Sequence, residues 1–228
     1  MHIVQCVTYF HLSPLPLHLR THPRTMEVEV KLRLPTAEAH QRVADLLAAN
    51  HKVSHLQENV FFDGVNGELS SKKTVLRLRF YGADAHRCVV AVKGKAVIVD
   101  GISRVSEEEE EVADAATAHS CLADPQRLFI LDSSLINRVA KEFQVQSFAC
   151  LGGFRNVRNV FHWKDLVLEL DETQYPFGTS YEIECETSDA EHARSVLEDF
   201  LHQNGIPFSY STTSKFATFR SGKLPEIP

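Results

Sequence analysis

The sequence is poor in features that fix a function on their own. Its five cysteines, Cys6, Cys88, Cys121, Cys150 and Cys185, are scattered, and no CxxC pair occurs. That argues against a disulfide framework or a thiolate zinc site and suits a reducing, cytoplasmic setting. No apolar run is long enough to cross a bilayer, so no membrane role is expected. A GxxxxGK[ST] loop is missing, which excludes a P-loop phosphate site. No short-period repeat suggests a solenoid. Basic residues are in the minority, 24 Lys and Arg against 30 Asp and Glu, for a net charge of -6. A surface built for nucleic acid would want the opposite balance. Acidic residues are absent from the first 25 positions, which hold three prolines, two arginines and four histidines. The histidines match no metal-ligand spacing. Transit peptides are poor in acids, but this stretch is not rich in arginine or serine and lacks a clear cleavage site. Residues 1–25 therefore read as a disordered extension, with the folded domain spanning 26–228.

What is present is a core and an alternation. Of the 228 residues, 43% are apolar, enough for one domain or two small ones. In "MEVEVKLRL", Val28, Val30, Leu32 and Leu34 share one strand face, and Glu27, Glu29, Lys31 and Arg33 share the other. "TVLRLRFYG" repeats the pattern, with Val75, Arg77, Arg79 and Tyr81 opposite Leu76, Leu78 and Phe80. "RCVVAVKGKAV" places Lys93 and Lys95 together, and Glu107, Glu109 and Glu111 share a face in the acidic run. "DLVLELDET" sets Glu169 and Asp171 against Leu168 and Leu170, and "SYEIECETS" sets Glu182, Glu184 and Glu186 against Ile183 and Cys185. Between the strands, helical spacing appears over 36–49, over 114–145, and from a Ser188–Glu191 capping box to Asn204.

An antiparallel sheet with one wet face would explain any single strand. Most of the strands carry the same division, however, and their polar faces are dominated by Glu, Arg and Lys. If the sheet closes into a barrel, the apolar faces meet helices outside and the charged faces line the interior. Crowded carboxylates such as Glu27, Glu29, Glu184 and Glu186 would be relieved by a hard divalent cation. Lys31, Arg33, Arg77, Arg79, Lys93 and Arg158 would repel one another unless a polyanion lay among them, and guanidinium forks match phosphate oxygens. A metal-chelated polyphosphate satisfies both sets.

The ordered motifs "EVEVKLRL", "LRLRF", "VKGKA", "GGFRNVRNV", "LELDET", "YEIECE" and "TSKFATFRSGKLP" resemble the CYTH superfamily, the triphosphate tunnel metalloenzymes, most closely its plant-type inorganic triphosphatases. The resemblance implies an α+β fold: an eight-stranded antiparallel closed barrel with helices packed outside. It implies Mg²⁺ or Mn²⁺ held by Glu27, Glu29, Glu184 and Glu186. It implies phosphate held by Lys31, Arg77, Arg79, Lys93, Arg158 and Lys215, with Lys215, Glu29 and Glu186 as catalytic residues. Glu107, Asp171 and Glu169 match further tunnel acids. By parity Arg155 lies opposite Arg158 and faces outward.

The expected activity is metal-dependent hydrolysis of a linear triphosphate, inorganic tripolyphosphate foremost, by a monomer. Thiamine or nucleoside triphosphates and cyclisation of ATP are the enzymatic alternatives. A polyphosphate-binding module with little turnover is the non-enzymatic one.

Overall fold

A computed structural model describes residues 21–226. Ten strands are present, β1 (Thr21–Leu34), β2 (His51–Gly64), β3 (Val75–Tyr81), β4 (Arg87–Lys93), β5 (Val97–Val99), β6 (Ile102–Val112), β7 (Phe148–Trp163), β8 (Leu166–Tyr175), β9 (Gly178–Glu186) and β10 (Ser209–Tyr210). Five α-helices accompany them: α1 (Ala37–Leu46), α2 (Ala115–Ser120), α3 (Ser134–Glu142), α4 (Ala190–Gln203) and α5 (Lys215–Ser221). Neighbours run β1-β9-β8-β7-β2-β3-β4-β6, and β6 pairs back to β1, so eight antiparallel strands close a barrel. The short β5 and β10 attach to its outside edges at β6 and β1.

The boundary expected at Met26 falls inside β1. Backbone pairing of β1 with β6 begins at Thr21 opposite Glu110 and shifts register between His22 and Thr25. The remainder of the expected extension, residues 1–20, lies outside the described residues. Among those described, no helix is long and apolar enough to cross a membrane.

Alternation decides which side of the wall each residue takes. The apolar faces point outward and are covered by two separate helical layers. Helices α1 and α4 cover Val30, Leu32, Leu168, Leu170, Ile183 and Cys185. Helices α2 and α3 cover Leu76, Leu78, Phe80, Cys88 and Val90. Fully burying each such side chain stabilises the fold by about 1.5–3 kcal/mol, which is why a one-residue register slip is excluded.

Helix limits differ from the sequence expectation where side chains cap the backbone. The 114–145 stretch breaks into α2, a 3₁₀ turn at Pro125–Ile130, and α3. Asp114, Asp124 and Ser133 each accept a bond from a backbone N–H at the start of one piece, and Pro125 cannot donate into a preceding turn. Helix α4 is capped by Asp189, which accepts from the His192 N–H at 3.1 Å, rather than by Ser188. Thr187 Oγ1 accepts from the Asp189 N–H and turns the chain first.

Candidate active site

The inner faces enclose a cavity of about 780 Å³. Strand β1 contributes Glu27, Glu29 and Lys31 to it, β3 contributes Arg77 and Arg79, and β4 contributes Lys93. Glu107 and Glu109 come from β6, Arg158 from β7, Glu169 from β8, and Glu184 and Glu186 from β9. Lys215 arrives from outside the barrel wall. It is the first residue of α5, whose cap Ser214 accepts from the Ala217 N–H at 3.2 Å. Phe216 and Phe219 of this helix pack against Phe61, Phe154 and Tyr175 of the barrel, with the Phe61 and Phe216 rings 4.7 Å apart. That aromatic plug anchors α5, and the anchor turns Lys215 inward.

Cross-strand register sets acids beside bases. Lys31 lies opposite Glu184 and Arg33 opposite Glu182, while Glu29 lies opposite Glu186 and Glu169 opposite Glu184. Arg158 lies opposite Asp171, with Nε to Oδ1 at 2.8 Å and Nη2 to Oδ2 at 2.6 Å. Its Nη2 also reaches Glu184 Oε2 at 2.9 Å, and its Nη1 pairs with Glu169. Lys215 Nζ meets Asp171 Oδ2 at 2.8 Å and Glu182 Oε2 at 3.1 Å, and pairs with Glu184, which also pairs with Lys31. Lys93 Nζ holds Glu27 Oε2 at 2.8 Å and Glu107 Oε2 at 2.6 Å.

These contacts sort the acids into two groups. Burial alone would raise the pKa of Asp171, but Arg158 and Lys215 outweigh it and hold the carboxyl at about 2. Burial likewise opposes ionisation of Glu184, and Lys215, Lys31 and Arg158 keep it well below the ordinary range. Glu27, Glu169 and Glu186 go the other way. Burial pushes each of them up, and neighbouring carboxylates reinforce it. Among the described residues no cation pairs with Glu186. Surplus oxygen ligands crowded along β1, β8 and β9 suit a hard divalent cation in donor chemistry. They are not gathered in advance: among the described residues no group of three acids, histidines or cysteines converges on one point. Lys31 bridges Glu29 and Glu184, Arg158 and Lys215 also hold Glu184, and Lys93 holds Glu27.

Arg155 is exposed and opposite Gln174 on the outer face, three positions from the inward Arg158. Glu111 takes the inner parity but pairs with Arg87 near the rim, at 2.9 Å. Several inner-face residues escape a search for charge. Gln57, Asn59 and Asn156 line the cavity as neutral amides. Asn156 Nδ2 donates to Asp171 Oδ1 at 2.9 Å, and Asn156 Oδ1 accepts from Thr173 Oγ1 at 2.7 Å. Lys73 lines it from a loop, where no alternation marks it, and Lys95, expected beside Lys93, lines it from just beyond the end of β4. Glu110 is the structural member of the acidic run. It faces outward, buried, and accepts from Ser133 Oγ at 2.5 Å and the Leu135 N–H at 2.8 Å at the start of α3.

A closed antiparallel barrel whose interior carries matched acids and bases, with a lysine fed in by a plugging helix, defines a triphosphate-tunnel barrel. The CYTH domain family matches residues 25–219, and the chain belongs to that family. It is 48% identical to a candidate adenylyl cyclase from Hippeastrum that has a dominant triphosphatase activity. That superposition covers 87% of this chain and 97% of that one with a TM-score of 0.83. A candidate adenylate cyclase from Bacillus halodurans is 20% identical, over 85% of this chain and 98% of its own, with a TM-score of 0.63. A Pyrococcus horikoshii protein is 21% identical, over 79% and 91%, with a TM-score of 0.52. These last two share the fold. A search of curated proteins found no match.

Proposed function

We propose that the protein hydrolyses linear triphosphates, inorganic tripolyphosphate foremost, to diphosphate and phosphate with Mg²⁺ or Mn²⁺. One observation carries this reading: the tunnel's uncompensated charge is divided between walls. On β3, Arg79 touches no carboxylate among the described residues, and the buried Nε of Arg77 has no hydrogen-bond partner. On β1 and β9, Glu186 and its neighbours repel one another. A polyanion completes the first wall and a divalent cation the second. The activity of the Hippeastrum relative supports the same reading.

Lys31, Arg77, Arg79, Lys93 and Arg158 would bind the phosphate chain and orient it along the tunnel. Lys215, fixed by α5, would stabilise charge growing on the reacting phosphoryl group, with water attacking in line. Glu27, Glu29, Glu184 and Glu186 would hold the metal, which supplies charge neutralisation and a more acidic bound water. Glu29 and Glu186 thereby sit with Lys215 among the catalytic residues. The four described cysteines are free and three are buried, which suits a cytoplasmic protein. In this reading the protein is a monomer.

The test is phosphate release by purified protein from tripolyphosphate, ATP and thiamine triphosphate, with and without Mg²⁺ or Mn²⁺. Metal-dependent release, fastest from tripolyphosphate, is expected. Cyclic AMP from ATP as the main product would make the protein a cyclase. Tight binding without turnover would make it a polyphosphate-binding module. Full activity in EDTA, with metal content checked as nil, would sink the metal assignment.

A further inference from the structure

Strands β3, β4 and β6 carry two rungs of the same design. In one, Arg77 lies opposite Ala91, and Ala91 opposite Glu109. In the next, Arg79 lies opposite Val89, and Val89 opposite Glu111. The first rung closes across its small middle residue, with Arg77 Nη2 3.1 Å from Glu109 Oε1. The second stays open. Buried Val89 fills the space that Ala91 leaves, and Glu111 is drawn to Arg87, whose Nε lies 2.9 Å from its Oε1.

Arg79 is instead held by neutral oxygens. Asn59, opposite it on β2 and 2% exposed, accepts from its Nε at 3.1 Å. The Tyr81 hydroxyl accepts from its Nη1 at 3.3 Å. The Tyr81 ring is set in turn by the Arg87 guanidinium, 4.6 Å above it, and by His55, edge-on at 5.7 Å. A neutral acceptor orients a guanidinium without cancelling its charge. Lys31, Lys93, Arg158 and Lys215 differ, because phosphate must displace a carboxylate from each.

We propose that Asn59, Tyr81 and the Arg87–Glu111 pair are positioning residues that keep Arg79 oriented and out of contact with any carboxylate among the described residues, making it the cation that first receives the phosphate chain. This rests on the triphosphate reading of the tunnel. Arg87 has a double part: it steadies Tyr81 and it holds away Glu111, the carboxylate in register with Arg79 across Val89.

Two substitutions test the charge logic. Asn59→Asp keeps the shape and places a carboxylate on Arg79 Nε. Arg87→Ala, on the exposed rim, releases Glu111. Tripolyphosphate binding is measured by calorimetry in chelator, where no turnover occurs, with a melting curve for each variant. Asn59→Asp is expected to weaken binding about tenfold or more, as loss of a charge-assisted phosphate contact should, with no lower melting temperature. Asn59→Ala should lose less, since it removes a tether and adds no charge. Arg87→Ala should bind several-fold more weakly, and Arg87→Ala/Glu111→Gln should recover the part of that loss due to the freed Glu111 charge. Equal losses in Asn59→Asp and Asn59→Ala, or no recovery in the double variant, would overturn the proposal. If Asn59→Asp does not fold, the Arg87 pair of variants decides alone. Wild-type protein that neither binds nor hydrolyses tripolyphosphate would instead sink the triphosphatase reading. Wild-type protein that does both, beside variants that bind equally well, would sink this inference alone.

Discussion

Replacing Arg158 with alanine should separate what the tunnel network does for stability from what it does for binding. Asp171, fully buried, has two cationic partners, Arg158 in a two-pronged contact and Lys215 at 2.8 Å. Burial works against ionisation and these cations overcome it, holding the carboxyl at about 2. A depression of that size corresponds to about 2 kcal/mol of folding stability at neutral pH. Removing one partner of a buried pair costs about 3–5 kcal/mol when nothing else compensates. Lys215 remains, so a loss near the lower end is expected, about 3 kcal/mol. For a chain of this size that is roughly 6–12 °C in Tm. Arg155→Ala is the matched control, since Arg155 is exposed on the outer face, and it should stay within about 0.5 kcal/mol of wild type. In Arg158→Ala/Asp171→Asn the most buried of the three carboxylates that Arg158 contacts is neutralised, while Glu169 and Glu184 keep their charge. Part of the lost Tm should return, while tripolyphosphate affinity should not. The folded chain keeps Asp171 ionised below the pH at which the unfolded chain protonates it. Its contribution is therefore present above about pH 4 and lost as pH falls toward 2. In Arg158→Ala that loss should begin at higher pH, because less positive charge opposes protonation. Equal melting temperatures for Arg158→Ala and Arg155→Ala would refute the reasoning, and so would full tripolyphosphate affinity in the double variant.

Lys215→Ala should lower kcat and kcat/KM together on tripolyphosphate, because the anchored α5 aims Lys215 at one point of the tunnel; unchanged kcat with a raised KM would make it a substrate-holding residue. Glu186→Gln removes a carboxylate that has no cation partner among the described residues and whose pKa is pushed up by burial and by Glu27 and Glu169. Its Tm in chelator should be no lower than wild type, and the Mg²⁺ concentration for half-maximal activity should rise; a lower Tm with unchanged metal demand would remove Glu186 from the metal set. Glu110→Ala should cost about 2–3 kcal/mol by leaving donors at the start of α3 unpaired, read as a Tm shift with kcat/KM preserved. Loss of activity at full stability would mean that Glu110 reaches the tunnel chemistry.

Much of this protein is legible in the chain because strand alternation is local. Glu27, Glu29 and Lys31 must share a face whatever the rest of the molecule does, and their apolar neighbours must share the other. The contrast between Arg155 and Arg158 follows from counting by two. That the faces carry charge on strand after strand already points to closure, since an open sheet would have no reason to repeat it. What counting cannot reach is pairing between strands, which depends on register set by closure across the whole chain. Both rungs of β3, β4 and β6 have the same pattern in sequence, arginine, aliphatic residue and glutamate, and differ only in alanine against valine at the middle. Only the folded barrel shows that Glu109 closes on Arg77 while Arg87 takes Glu111 and leaves Arg79 open. Gln57, Asn59 and Asn156 stay hidden because an amide gives no charge signal, though it sits on the same inner face. Helix limits were decided locally but by competition: at 187–189 a threonine, a serine and an aspartate each offer a cap, and the backbone accepts only the one that the incoming turn presents. Lys215 stands last in the chain among the charged residues lining the cavity and on no barrel strand. An aromatic plug from three distant strands brings it to Asp171 and Glu184, and such a contact exists only once those strands have met.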